Sequence, residues 1–106
     1  MKELPSIQAL IDSFSKLPGV GVKSAERMAY AVLNFKDEDR EEFSRALHNL
    51  GERVHPCPEC GMYTENEGKC DICLDATRNH QLICVVSEVK DIIAIEKMNS
   101  FQGVYH

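Results

Sequence analysis

Two Cys-x-x-Cys pairs, Cys57-Pro58-Glu59-Cys60 and Cys70-Asp71-Ile72-Cys73, stand nine residues apart in a chain of 106. Each pair can present two sulfurs to one ion through a tight turn, and the interval is long enough to fold back and join the turns. Gly61, directly after the second sulfur, supplies the positive φ that such a turn requires. Four thiolates suit Zn²⁺ in a closed tetrahedral site, one ion per chain, with no position left for water, so the ion would hold structure and perform no reaction. The alternatives are iron on the same ligands, a thioredoxin-like redox pair, or disulfides. A fifth cysteine, Cys84, lies between Ile83 and Val85 and reads as an inert buried thiol. His48, His55, His80 and His106 are scattered, and four sulfurs already saturate a tetrahedral ion, so none is expected to ligate it.

A second constellation is Pro18-Gly19-Val20-Gly21-Val22-Lys23-Ser24. Gly19 and Gly21 let backbone approach a ligand closely. The free amides at the start of a following helix favour an anion. Lys23 and Arg27, four apart, share a helical face. Phosphate is the natural ligand, and such contacts read a nucleic-acid backbone without sequence information. The competing reading is a tight interhelical turn with two solvated cations.

Charge narrows where such a contact could lie. The chain carries −5 overall, which excludes a molecule clothed in positive potential. By segment the balance is +1 for residues 1–34, −2 for 35–55, −3 for 56–80 and −1 for 81–106. Only the segment with the glycine turn is positive. Hydrophobic residues at 43% and charged residues at 27% are ordinary globular usage. The sequence has neither an apolar run of about 18 residues that could cross a bilayer nor a signal-like start. A cytoplasmic protein with no membrane partner is expected.

The elements that must position these residues follow from periodicity. Ile7, Leu10, Ile11, Phe14 and Leu17 form one helical stripe entered through Pro5 and ended at Leu17-Pro18-Gly19. Ala25, Met28, Ala29 and Val32 mark a second helix over about 22–34. Phe43, Ala46, Leu47, Leu50 and Val54 mark a third, running to about Arg53 through Gly51, with an acidic first turn. Residues 55–80 lose apolar rhythm, so an ion must organise them, and chelation should unfold this part first. Leu82-Ile83-Cys84-Val85-Val86 predicts a strand buried on both faces, followed by a helix through Ile92, Ile93, Ile95 and Met98, and a second strand at Gly103-Val104-Tyr105. Two strands and one helix cannot close a stable sheet, so the chain is expected to be the front of a longer protein or to borrow packing. Tyr30, Tyr63 and Tyr105 show no spacing for a stacking platform.

Leu17-Pro18-Gly19-Val20-Gly21 followed by Lys23-Ser24-Ala25-Glu26-Arg27 resembles the helix-hairpin-helix of the RecR family of bacterial recombination mediators. The two cysteine pairs, Arg78, Ile83-Cys84-Val85-Val86, Asp91, Ile95-Glu96-Lys97 and Gly103-Val104-Tyr105-His106 are similar to that family in order and spacing. The resemblance implies an α+β chain. It comprises a helix-hairpin-helix region (1–54), a four-cysteine zinc finger (55–80) and the first β-α-β part of an incomplete Toprim domain (81–106). It further implies a non-enzymatic DNA-binding protein acting with RecF and RecO in recombinational repair. Subunits would join as dimers through the N-terminal region and as a tetrameric ring, a clamp around DNA. The matching positions are Gly19, Gly21, Lys23 and Arg27 for DNA, and Cys57, Cys60, Cys70 and Cys73 for metal.

Toprim enzymes carry a metal-binding Glu just after the first strand, where this chain has Ser87, with Glu88 one residue on. No Asp-x-Asp pair follows that strand in these residues. No catalytic residue is therefore expected. The alternatives are a structural zinc and dimerisation module that never touches DNA, or part of a Toprim-type Mg²⁺-dependent nuclease or topoisomerase.

Overall fold

A computed structural model describes residues 2–106. Contacts divide the chain into two compact units, one ending at Leu47 and one spanning His48–His106. The elements are α1 (Pro5–Ser15), α2 (Val22–Leu33), α3 (Asp37–Arg53), β1 (His55–Pro56), β2 (Tyr63–Thr64), α4 (Asp71–Leu74), β3 (Ile83–Cys84), α5 (Val89–Lys97) and β4 (Val104–Tyr105).

In the first unit Pro5 begins α1, where its missing N–H costs nothing. Pro18 ends the helical path because it has no amide to donate and restricts the residue before it. The chain reverses through Leu17 N–H to Phe14 O (3.1 Å) and Val20 N–H to Leu17 O (3.2 Å). Gly19 takes φ +78°. Ile11, Ala25 and Ala29 are buried together, with Ile7, Leu10, Phe14 and Val20 packed around them. The two alanines present little bulk, so α2 can lie close against α1. Leu17, expected on the buried stripe of α1, falls beyond the helix and is 51% exposed.

Arg40 secures the corner into α3. Its guanidinium donates to the carbonyls of Val32 (3.3 Å) and Leu33 (3.0 Å) at the end of α2 and of Phe35 (2.8 Å) just beyond it, and pairs with Asp37 at 2.9 Å. Phe35 meets Phe43 edge-on at 6.0 Å. α3 has the expected length and runs through Gly51, yet none of its residues is buried, and Leu47 and Leu50 stand exposed on its apolar stripe.

In the second unit β1 and β2 pair antiparallel, His55 opposite Thr64, and β3 and β4 pair parallel, Ile83 opposite Val104. The expected strand-helix-strand order is therefore present. Val104 N–H to Leu82 O (2.9 Å), His106 N–H to Cys84 O (3.2 Å) and Val86 N–H to His106 O (3.1 Å) extend the contact between the two strand segments. The expectation that residues 82–86 are buried on both faces does not hold. Ile83 is 56% and Val85 79% exposed, while Cys84 and Val86 are half-buried. The strand alternates with period 2, and packing covers one face alone. Cys57, Cys60, Cys70, Ile92 and Tyr105 form one buried cluster, so the cysteine segment and the β3-α5-β4 unit share a core.

Candidate functional site

The first cysteine turn is closed by backbone. Gly61 N–H donates to Cys57 O (2.8 Å), Cys57 N–H to Met62 O (2.6 Å), and Met62 N–H points at Cys60 Sγ (3.4 Å). Gly61 adopts φ +83°, as its place after Cys60 predicts. The second turn is the start of α4, with Cys70 as its N-cap, Leu74 N–H donating to Cys70 O (3.0 Å), and Cys70 N–H reaching back to Cys57 Sγ (3.3 Å).

These turns bring all four Sγ atoms within 4.8 Å of one another, with Cys57 to Cys73 at 3.8 Å and Cys60 to Cys70 at 3.6 Å. A tetrahedron with metal–sulfur bonds of about 2.3 Å has edges of about 3.8 Å, so the donor set fits one such ion. No disulfide joins these cysteines. Burial pushes the Cys57 thiol up, but the amides of Cys60, Cys70 and Glu59 outweigh it and bring the thiol down to about 6. Burial raises Cys60 to about 11 and lifts Cys73 as well. Four thiolates this close repel one another, and a central cation removes that penalty. The cluster is compatible with a metal site. His55 Nε2 contacts Asn66 O at 2.5 Å and His80 Nε2 contacts Asp75 O at 2.9 Å, so carbonyls engage both rings.

Arg78 ties this segment to the strand-helix-strand unit, a role the sequence reading did not assign. Its side chain is 14% exposed, and it donates to both Glu96 oxygens and to Gly103 O (3.1 Å), with Asp75 at 3.6 Å. Tyr105 O–H donates to the same Glu96 carboxylate. The Arg78 guanidinium holds Glu96 below its ordinary value against the opposing effect of burial, and burial beside Glu96 raises Tyr105. One signal was available: Glu96 stands four residues after Ile92, on the apolar side of α5, where a carboxylate needs a partner.

The glycine turn has a different character. Gly19 needs its left-handed φ, but Gly21, the N-cap of α2, has φ −82° and ψ 175°, a conformation open to any residue. The freedom expected of Gly21 is therefore space alone, since nothing lies within 4 Å of a Cβ there. No side chain caps α2, so the first-turn amides, Val22 to Ser24, have no side-chain acceptor from Gly21. Lys23 and Arg27 are exposed and belong to no ion pair among the described residues. They lie off the buried stripe of Ala25, Ala29 and Val32.

Ser87 and Glu88 occupy the approach to α5. Glu88 is its N-cap, with its N–H on the Asp91 carboxylate at 3.3 Å and its own carboxylate 3.0 Å from Lys90. Both acids thus serve the helix start. Among the described residues no helix is long and apolar enough to cross a membrane.

A protein-family profile described as "RecR, helix-hairpin-helix" matches residues 7–50, which hold most of α1, the glycine turn, α2 and most of α3. A "Recombination protein RecR" of Staphylococcus saprophyticus is 47% identical over 100 residues, covering 94% of this chain and 50% of the relative. Relatives of the same name from Staphylococcus aureus strains JH9 and Newman are 46% identical over the same shares. The chain spans about half the length of the curated relatives it matches. With the hairpin inside the profile and the identity extending across the cysteine cluster, the chain belongs to the RecR family.

Proposed function

We propose that the chain is a non-enzymatic, cytoplasmic DNA-binding mediator of recombinational repair, acting with RecF and RecO and assembling as a clamp on DNA. The observation that carries this reading is the pair of exposed cations, Lys23 and Arg27, in no ion pair among the described residues, on the first turns of a helix with no side-chain cap after a left-handed Gly19. Amides and cations together form an anion site, and phosphate backbone is its ligand. Gly19 and Gly21 let that backbone come close. Residues 1–54 would contact DNA, residues 55–80 would hold one structural Zn²⁺ through Cys57, Cys60, Cys70 and Cys73, and residues 81–106 would begin a Toprim domain. Zinc is favoured over iron because the all-thiolate cage, with Cys57, Cys60 and Cys70 buried, organises a segment without apolar rhythm of its own.

The test is Lys23→Ala with Arg27→Ala in the full-length protein. DNA affinity should fall, the salt slope should flatten by about one unit per lost phosphate contact, and oligomer mass should not change. Unaltered affinity at every salt concentration would sink the DNA reading. Leu17 and Val22, 51% and 63% exposed at the same turn, favour a second reading in which this corner joins two subunits. In that case the variant lowers oligomer mass while affinity per assembled ring stays constant. Metal analysis should find one zinc per chain, lost in Cys60→Ser. Glu88→Ala should abolish no Mg²⁺-dependent strand cleavage, because none is expected.

A further inference from the structure

In the unit from His48 to His106, Val54, Met62, Tyr63 and Ile72 wall an open groove of about 510 Å³, with Glu65 and Asp71 also lining it. Tyr63 is 59% exposed. Val54 prolongs the helical path of α3, its N–H donating to Leu50 O at 3.3 Å, and Leu50 is 63% exposed on the same stripe. Apolar surface thus continues from the last turn of α3 into the groove.

Charge identifies the occupant. Residues 56–80 contain two cations, and both are engaged: Lys69 lies 3.8 Å from Glu59, and Arg78 is held by Glu96 and Asp75. Glu65, Glu67 and Asp71 belong to no ion pair among the described residues. Asp71 Oδ1 accepts Asn66 Nδ2 at 3.0 Å, leaving its other oxygen for a partner. An acidic, apolar groove repels polynucleotide. It also disfavours a second copy of a chain whose net charge is −5.

The geometry points to a docking site for a cationic amphipathic segment of a partner protein. A large apolar side chain enters between Tyr63 and Ile72, and flanking Lys or Arg residues meet Glu65 and Asp71. The groove shares no residue with the glycine turn, so the phosphate-contact reading and this one are tested by different variants.

The test uses the zinc-loaded chain and a fluorescein-labelled synthetic peptide alternating Lys and Leu, followed by anisotropy. The same peptide with Glu for Lys, and an oligolysine of equal charge, should each bind about tenfold more weakly or worse. Tyr63→Ala and Glu65→Arg, checked for zinc content and far-ultraviolet spectrum, should each weaken the peptide about fivefold or more, whereas Glu41→Arg, the same charge change outside the groove, should cost less than about twofold. Lys23→Ala with Arg27→Ala should leave peptide affinity unchanged. Equal losses for Glu41→Arg and Glu65→Arg, or full binding by oligolysine, would reduce the effect to general attraction and overturn the proposal. So would a dimer, detected by light scattering, that Tyr63→Ala dissociates, or displacement of the peptide by a single-stranded oligonucleotide.

Discussion

Arg78 shows what one side chain can do where two segments meet. Its guanidinium spans a carboxylate on α5, a carbonyl before β4 and a carboxylate in its own segment, while Tyr105 completes the Glu96 hydrogen bonding. Removing it leaves Glu96 half-buried and without its cation. Arg78→Ala should therefore destabilise the chain by about 2–4 kcal/mol, measured by urea unfolding. Arg78→Lys should recover only part of this, because an ammonium cannot engage both Glu96 oxygens and Gly103 in the same fork. The carboxylate also sets a pH signature. Glu96 is held below the ordinary 4.5, mainly by Arg78, so its contribution is complete above that value and disappears as pH falls through the lower folded value. The stability difference between the parent and Glu96→Gln should be constant above about pH 5.5 and narrow below about 4.5. A difference that widened on acidification would contradict the assignment.

At the scale of elements, two glycines answer to different constraints. Gly19 is needed for its left-handed φ of +78° in a turn with open space around it. Gly19→Ala should cost about 1–2 kcal/mol through backbone strain. Gly103 has no such φ, but an added Cβ would collide with the Leu82 carbonyl and the Phe101 ring. Gly103→Ala should cost about 1–3 kcal/mol through overpacking, and should weaken protection of the Val104 amide, which donates to Leu82 O at 2.9 Å. Hydrogen exchange distinguishes the two: the first variant loosens the α1-α2 turn, the second the β3-β4 pair. The elements themselves were largely legible. α1, α2 and α3 begin and end within a residue or two of where Pro5, Pro18-Gly19 and the apolar periods place them. β1, β2 and α4 were not, since residues 55–80 carry no apolar rhythm, and the burial of β3 was misjudged because a run of β-branched residues looks the same whether one face or both are covered.

For the whole molecule, the cysteine cluster and the strand-helix-strand unit behave as one body. Cys57, Cys60 and Cys70 are buried in the same cluster as Ile92 and Tyr105. Chelation should therefore release more than residues 55–80. Amide protection around Ile92 and Tyr105 should vanish together with that around the cysteines, while the α1-α2 hairpin, which has its own core of Ile11, Ala25 and Ala29, keeps its protection. Protection of residues 89–105 that survived a strong chelator would show that the shared core does not depend on the ion.

The sequence by itself determined α1, α2, α3 and α5, the two cysteine turns and the left-handed Gly61, because each depends on spacing within a few residues. It also carried the family likeness across the hairpin, the cysteines and the strand that follows. Only the tertiary structure decided that Arg78 meets Glu96 and Tyr105, that Ala46, Leu47 and Leu50 on the α3 stripe stay exposed, and that the cysteines join the core of β3-α5-β4. Those outcomes depend on which surfaces pack together, and residues 18 apart in the chain, such as Arg78 and Glu96, declare no partner until the backbone has closed around them.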